Sequence, residues 1–431
     1  MNFPFFIASQ VSRSRQKSFS RLIIRIAILA VTISVTVMII TAATVRGFKN
    51  QISQKIFGLW GQIHITDAAV NQDLEARPIS LNQSFYPYTQ LHQPISYEAE
   101  NNSIFGGSER VERKTAGGIS HIQAFATIPG IIKTPTDIEG IMLKSAGKDF
   151  NWEFLQSCLV SGRPINLGDS LPSREILISQ ITADRLKTKC GDKFVVHFLR
   201  KGEQVKRMFE VVGIYKTGLE EYDKKIAFTD LRIIQQLLGW NADQVSGFEV
   251  FLDNHADINP MTEYVYNELI PNNLYAMSIR ERFPSIFDWL DLQDINEYVI
   301  ISLMAVVAII NMITALLILI LERTEMIGIL KALGARNWEI RKIFLIQATW
   351  IIGAGLFWGN LLGIGFSLLQ KEFKFVTLSE ADYYLAYVPI ELNFSTILLL
   401  NFATLLIVLV FLIVPSMIVT KISPVKAIRF K

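Results

Sequence analysis

Four stretches of this chain are apolar over a length that only a membrane helix uses. A bilayer core takes about 20 consecutive apolar residues of helix. The stretches run 22–45, 298–321, 343–369 and 394–414, and the second carries no charged side chain. Half of the 431 residues are hydrophobic and 19% are charged, a balance that points to membrane segments. The first stretch follows a basic flank of Arg13, Arg15, Lys17 and Arg21, as in a signal peptide. Its apolar run exceeds the roughly 7–15 residues of a signal core, so it reads as an anchor. The expected fold class is a membrane protein, α-helical with four transmembrane helices and a large α+β domain between helices 1 and 2.

Lysine and arginine in short flanks set the expected orientation. Residues 1–21 contain no acid. The 322–342 loop carries Arg323, Lys331, Arg336, Arg341 and Lys342, and the tail carries Lys421, Lys426, Arg429 and Lys431. The 370–393 loop has only Lys371 and Lys374 against four acids. Both termini and the 322–342 loop are therefore expected in the cytoplasm. Arg46, Lys49 and Lys55 run against this count, but they begin a long loop, where the rule is weak. The organisation that follows is an amphipathic cytoplasmic segment 1–21, span 22–45, outer domain 46–297, span 298–321, cytoplasmic helix 322–342, span 343–369, short outer loop 370–393, span 394–414 and tail 415–431. Phe3, Phe5, Phe6 and Ile7 need an apolar home and place the first segment at the membrane surface.

In the outer domain, alternation predicts strands at Gln62 to Thr66, Glu175 to Ile178, Lys193 to Phe198, Arg207 to Val212 and Phe248 to Leu252. Helices are expected at Ser179–Lys187, Asp230–Leu238 and Asp257–Leu269. Leu199 to Gln204 reads as a short hairpin tip. Residues 80–120, rich in Asn, Gln, Ser, Tyr and Gly, read as a long surface excursion, with Val111 to Ala126 as a strand-forming return.

Little here resembles an enzyme. The histidines His64, His92, His121, His197 and His255 are scattered, without the paired spacing of a zinc helix. Nucleophile-elbow and phosphate-loop motifs are absent, so any ATP must be bound by another chain. No metal site and no catalytic residue is assigned. A net charge of +3 gives no field for nucleic acid. Cys158 and Cys190 exclude a disulfide scaffold, and whether they bond to each other is open.

Within the third span, Gly355, Gly359 and Gly363 fall four apart on one face, a spacing that lets two helices approach closely. Asn311, in the second span, wants a hydrogen-bond partner on another helix. The segment from Leu321 to Phe344 alternates charged and aliphatic residues at helical spacing. Ile327, Leu330 and Leu333 form an apolar stripe, and Gly334 breaks the helix. This is a helical elbow whose polar face suits docking to a soluble protein.

The elbow resembles the cytoplasmic element of FtsX/MacB-type ABC transporter permeases at Glu322, Glu325 and every position from Ile327 to Ala335. Other pieces are similar to the lipoprotein-releasing (LolC/LolE) permeases within that group: Ile310-Asn-Met-Ile-Thr314, Tyr387-Val-Pro-Ile-Glu-Leu392, Pro424-Val-Lys-Ala-Ile-Arg-Phe430 and Val45-Arg-Gly-Phe-Lys49. The resemblance implies a MacB-like periplasmic core, with an inserted β-rich subdomain at about 150–245, in the bacterial inner membrane. It implies an ATPase dimer, holding ATP and Mg, docked at Glu322, Arg323, Glu325, Gly328, Lys331, Gly334 and Ala335. No cofactor is expected on this chain.

A second permease chain, like or unlike, would pair with this one around a cavity for the acyl chains of a lipoprotein. Val37, Ile40, Ile300, Met304 and Val307 are the candidates to line it. Some relatives grip a periplasmic carrier with an extended hook; here that connection is short, leaving Arg200 and Lys201 as candidate carrier contacts. The rival readings are a MacB-like efflux or mechanotransmission permease and an FtsX-like subunit that relays ATPase motion to an outer hydrolase.

Overall fold

The computed structural model describes residues 18–69, 77–102, 108–133, 138–168, 171–200 and 203–421. Most of the N-terminal segment 1–21, Lys201, and the closing motif from Pro424 to Phe430 lie outside the described residues. The chain forms two compact units. One comprises Met1–Asn50, Asp288–Thr377 and Tyr387–Lys431; the other comprises Gln51–Phe287 and Leu378–Ala386.

Among the described residues four helices are long and apolar enough to cross a membrane: Arg21–Trp60, Pro284–Glu322, Asn337–Phe373 and Phe394–Thr420. Each is longer than the apolar stretch that marks it. Hydropathy stops where side chains turn polar, whereas the helical backbone ladder continues in water as readily as in lipid. In the first unit all four helices feed one core. Val31, Val35 and Ile39 come from the first helix, Ala308, Met312 and Leu316 from the second, Phe344, Ala348 and Ile352 from the third, and Val408 and Leu412 from the fourth. The outward faces stay apolar: Trp350, Phe357, Leu399 and Val410 are all at least half exposed, as a lipid-facing surface requires.

The three glycines in register meet the first helix. A Cβ at Gly355 would stand 2.6 Å from Val31 Cγ1, one at Gly359 2.7 Å from Val35 Cβ, and one at Gly363 3.1 Å from Ile39 Cβ. The close approach lets Thr32 Oγ1 donate to the Gly355 carbonyl (3.3 Å) and Thr36 Oγ1 to that of Gly359 (3.2 Å). The third and fourth helices are joined by a reciprocal amide pair, Asn360 to Asn401, at 2.8 and 2.9 Å. Asn311 finds no hydrogen-bond partner among the described residues and is half-buried, contrary to the expected interhelical bond. The polar bridge is built one helix pair away, by two asparagines whose helices bring them level.

Two other pins close this unit. Buried Gln370 donates to the carbonyls of Val376 (3.1 Å) and Val388 (3.0 Å), and accepts from the Val376 amide (2.9 Å). Lys49 reaches from the first helix to Asp294 (2.5 Å) and Asp291 (3.5 Å) of the second.

The second unit holds two main sheets. An antiparallel sheet of four strands runs Leu274–Ser278, Ile63–Asp67, Gly247–Leu252, Ile119–Phe125. A mixed sheet of seven runs Lys193–Arg200, Thr127–Lys133, Ile138–Ala146, Ile226–Asp230, Glu175–Ser179, Glu203–Tyr215, Leu159–Gly162. Helices Gln180–Leu186 and Leu231–Leu238 start where Ser179 and Asp230 side chains accept from backbone amides, the N-cap chemistry their sequence offers.

Every strand expected from alternation is present, but four members of the larger sheet are not among them: Thr127–Lys133, Ile138–Ala146, Leu159–Gly162 and Ile226–Asp230. Thr127–Lys133 contains Pro129 and Gly130, which argue against a central strand. It escapes that rule because its neighbour Lys193–Arg200 pairs with it only at Ile131 and Ile132, beyond the proline. The larger sheet therefore begins upstream of residue 150. The 80–120 excursion contains a regular hairpin, Ser96–Asn102 against Ser108–Lys114. The proposed return is two strand segments rather than one, Ser108–Lys114 and Ile119–Phe125. Both cysteines are free thiols, with Cys190 exposed.

Steric contrast along the third helix can be tested directly. Gly359→Ala is expected to lower the thermal stability of the detergent-solubilised chain, because overpacking costs about 1–3 kcal/mol. Gly353→Ala, where a Cβ meets nothing within 4 Å, should leave it unchanged or raise it by up to about 1 kcal/mol, the helix preference for alanine. Equal effects of the two substitutions would refute the close-packed ridge.

Candidate functional site: a capped elbow and a buried charge network

The elbow is the helix Thr324–Ala332, which follows the second long helix after a single non-helical residue, Arg323. Its end is a Schellman cap. Ala335 N–H donates to the Leu330 carbonyl and Gly334 N–H to that of Lys331, both at 3.0 Å. Gly334 sits at φ +93°, a conformation that L side chains avoid. The next helix begins three residues on, where Glu339 reaches back to accept from the Arg336 amide (3.1 Å).

The elbow's inner face is Ile327 and Gly328, both buried. Leu333, expected in the same apolar stripe, is 79% exposed. The helix ends at Ala332, so Leu333 leaves the helical face and points away from Ile327. Ile329 is also exposed, at 47%, as are Glu322 and Glu325. The exposed surface of the elbow therefore includes two aliphatic side chains, Ile329 and Leu333, beside the Glu325 carboxylate.

Lys331 is not part of that surface. Its Nζ donates to the carbonyls of Val419 (2.7 Å) and Thr420 (3.3 Å), in the short helix Ile418–Lys421 at the end of the fourth long helix. Burial pulls its pKa down. The sequence shows a cation on a docking helix; the structure uses it as an internal brace. Arg323 and Ala335 are half-buried, and Gly334 is at the exposed apex.

The candidate cavity residues Val37, Ile40, Ile300 and Met304 are half-buried and Val307 is borderline exposed; none lines the notch at Trp350 and Gly353 or the groove from Lys342 to Phe402. The exposed face of the second helix is instead Val299, Leu303, Val306 and Ile310. Arg200 ends its strand paired with Glu203, and Lys201 lies outside the described residues.

Sequence reading missed the buried charges of the second unit altogether. His64, Glu249 and Gln123 lie side by side on three neighbouring strands of the four-stranded sheet. Lys144, from the seven-stranded sheet, is fully buried against them. Its Nζ stands 2.7 Å from Glu249 Oε1, donates to the Leu59 carbonyl (2.5 Å) and lies 4.5 Å from the Trp60 ring centroid. Gln123 Nε2 donates to the other Glu249 oxygen at 2.8 Å. One ammonium thus ties both sheets to the end of the first long helix. Burial pushes the Glu249 carboxyl up and the Lys144 amine down, each opposed by the other's charge. His64 Nε2 bonds the Trp60 carbonyl at 2.7 Å, while its Nδ1 is buried without a partner among the described residues. Burial, then the charges of Arg282 and Lys144, hold His64 well below its ordinary pKa. No visible motif announces this network, because its members are 64 to 249 in sequence and meet only through strand register.

Among the described residues no three His, Cys, Asp or Glu side chains are grouped to hold a metal. Comparison with known proteins fits two family models end to end. "MacB-like periplasmic core domain" matches residues 26–265, more than half of the chain, and "FtsX-like permease C-terminal" matches residues 298–424. The chain belongs to the FtsX/MacB-type ABC transporter permeases.

Relatives within this permease group include the lipoprotein-releasing system transmembrane protein LolC of Haemophilus influenzae, 22% identical with 100% of both chains covered. LolE of the same organism is 22% identical with 99% of both covered. The macrolide export ATP-binding/permease protein MacB of Bdellovibrio bacteriovorus is 24% identical over 60% of this chain and 39% of its own.

Two predictions concern the core domain of this permease. Lys144→Ala is expected to cost about 3–5 kcal/mol by stranding a buried carboxylate. Lys144→Met with Glu249→Leu should recover most of that loss, read from urea unfolding by tryptophan fluorescence. A double variant no more stable than the single one would refute the pairing.

His64 is neutral in the fold and titrates near 6.5 once unfolded, so its contribution is complete above that pH and falls as pH drops toward the depressed folded value. Between pH 6.5 and 5.5 the loss is up to about 1.4 kcal/mol. His64→Gln should remove that part of the acid sensitivity, and an unchanged pH slope would exclude His64 as its source.

Proposed function

We propose that this permease extracts lipoproteins from the outer leaflet of the bacterial inner membrane, driven by a separate ATPase. Each buried methylene holds an acyl chain in the bilayer by about 0.8 kcal/mol, so extraction is uphill by far more than one weak contact supplies. ATP binding and hydrolysis on the ATPase dimer are the source of that work. The reading rests for its substrate on similarity to LolC and LolE along the whole chain. It rests for its coupling on one observation, the exposed Ile329 and Leu333 of an elbow braced from behind by Lys331.

Both termini and the elbow then lie in the cytoplasm, with residues 46–297 in the periplasm. Glu322, Glu325, Ile329 and Leu333 meet the ATPase, while Gly328, Lys331, Gly334 and Ala335 shape the elbow that carries its motion. The cations that run against the charge count are engaged locally. Arg46 donates to Thr396 Oγ1 (3.0 Å), Lys49 pairs with Asp294, and Lys55 donates to the Tyr384 carbonyl (2.8 Å). Their charge serves packing, which leaves the orientation to the 322–342 loop and the tail. A second permease chain completes the cavity, and the short connection between the paired Arg200 and Glu203 leaves a soluble carrier little to grip on this subunit.

A release assay tests the proposal. Membrane vesicles holding this chain, its ATPase and any second permease are loaded with an acylated lipoprotein, then given ATP and a soluble carrier. ATP-dependent release is expected. Gly334→Pro, which φ +93° forbids, and Leu333→Asp should each lower release roughly tenfold or more while the chain still inserts. ATP hydrolysis without release from the unsubstituted complex would overturn the lipoprotein reading in favour of efflux or signal relay. Normal release from Gly334→Pro would overturn the role of the elbow.

A further inference from the structure

A groove of about 580 Å³ runs between the third and fourth long helices, walled by Leu345, Leu405, Leu409 and Ile413 and reaching from Lys342 to Phe402. We propose that it is a binding site for one acyl chain of an anionic membrane phospholipid, whose phosphate sits at Lys342. The inference rests on these two helices lying in a bilayer and not on which substrate the permease moves.

Length is the first argument. From Phe402 to Ile413 the fourth helix rises about 16 Å at about 1.5 Å per residue. One leaflet contributes about 15 Å, half of the roughly 30 Å hydrocarbon core. The groove therefore spans one leaflet, from the membrane surface to the midplane.

Chemistry is the second. The walls are aliphatic, and the one hydroxyl, Thr349 Oγ1, already donates to the Leu345 carbonyl (2.9 Å). Nothing along the walls asks for a polar ligand. Lys342 closes one end, exposed, with no carboxylate within 4.0 Å of its Nζ among the described residues. Its ammonium lies 5.5 Å from the ring centroid of Trp338, itself half exposed, and such an aromatic beside a lysine is the usual signature of the headgroup level. A cation at the surface end of an apolar channel is complementary to a phosphate above an acyl chain.

Room for a second chain adjoins. A notch of about 560 Å³ shares Ile346 and Thr349 with the groove and is bounded by Trp350 and Gly353. A Cβ at Gly353 would meet nothing within 4 Å, so the notch is open there. A two-chain lipid can straddle the ridge formed by Ile346 and Thr349.

Native mass spectrometry of the full chain in mild detergent, titrated with phosphatidylglycerol or phosphatidylcholine, reads the site directly. Phosphatidylglycerol should be retained roughly fivefold better, the factor expected of one lysine at an anionic surface. Lys342→Ala should bring it to the phosphatidylcholine level, Lys342→Arg should keep the preference, and Thr349→Trp should reduce retention of both by blocking the groove. Equal retention of the two lipids by the unsubstituted chain, or a preference that survives Lys342→Ala, would mean ordinary surrounding lipid only and overturn the proposal. So would lipid-free chains that dimerise through this face, read as disulfide cross-linking of Leu406→Cys.

Discussion

The close approach of the first and third long helices is the contact on which the membrane unit depends. In lipid, helices gain nothing by hiding apolar surface from one another, so association relies on packing and on the few polar groups that find partners. Three glycines remove the side chains that would hold the helices apart, and Val31, Val35 and Ile39 fill the space. Thr32 and Thr36 then reach glycine carbonyls that any larger residue would bury. The Asn360–Asn401 pair holds the fourth helix to the third, so the set of helices is assembled around the third. The elbow is the direct N-terminal neighbour of that same helix, joined through Gly334 to Arg336.

The core domain solves a different problem, that of fixing two sheets and a helix end in water. It uses one buried ion pair where most domains would use aliphatic packing. Such a pair is weak evidence of stability, and Lys144 fits only if both strands and the Leu59 carbonyl are in place together. The neutral, half-satisfied His64 next to it adds a cost that grows with acid.

Much of this was legible in the sequence. Length of apolar run marks a membrane helix whatever surrounds it, and four-residue glycine spacing marks a packing face. Gly334 announced its own turn, since a left-handed residue at a helix end is most often glycine. The assignment of single polar residues was harder. Asn311, Asn360 and Asn401 look alike in the sequence, and only the level at which two helices cross distinguishes the bonded pair from the half-buried residue. Leu333 followed the helical period on paper and left it in space, because the cap ended the helix one residue earlier. Lys331 read as a docking charge and became a brace, since the carbonyls it caps belong to a segment 88 residues away.

What the sequence determined by itself was the class of the molecule: four helices long and apolar enough to cross a membrane, a mixed domain between the first two, and an elbow between the second and third. These are one-dimensional properties, set by the free energy of placing each residue type in lipid or water and by local backbone preference. What only the tertiary structure decided was which residues meet. The Lys144–Glu249–His64 network, the amide pair and the basic-ended groove each join positions brought together by strand register or helix crossing. Those geometries depend on the summed packing of whole elements, which no local pattern encodes.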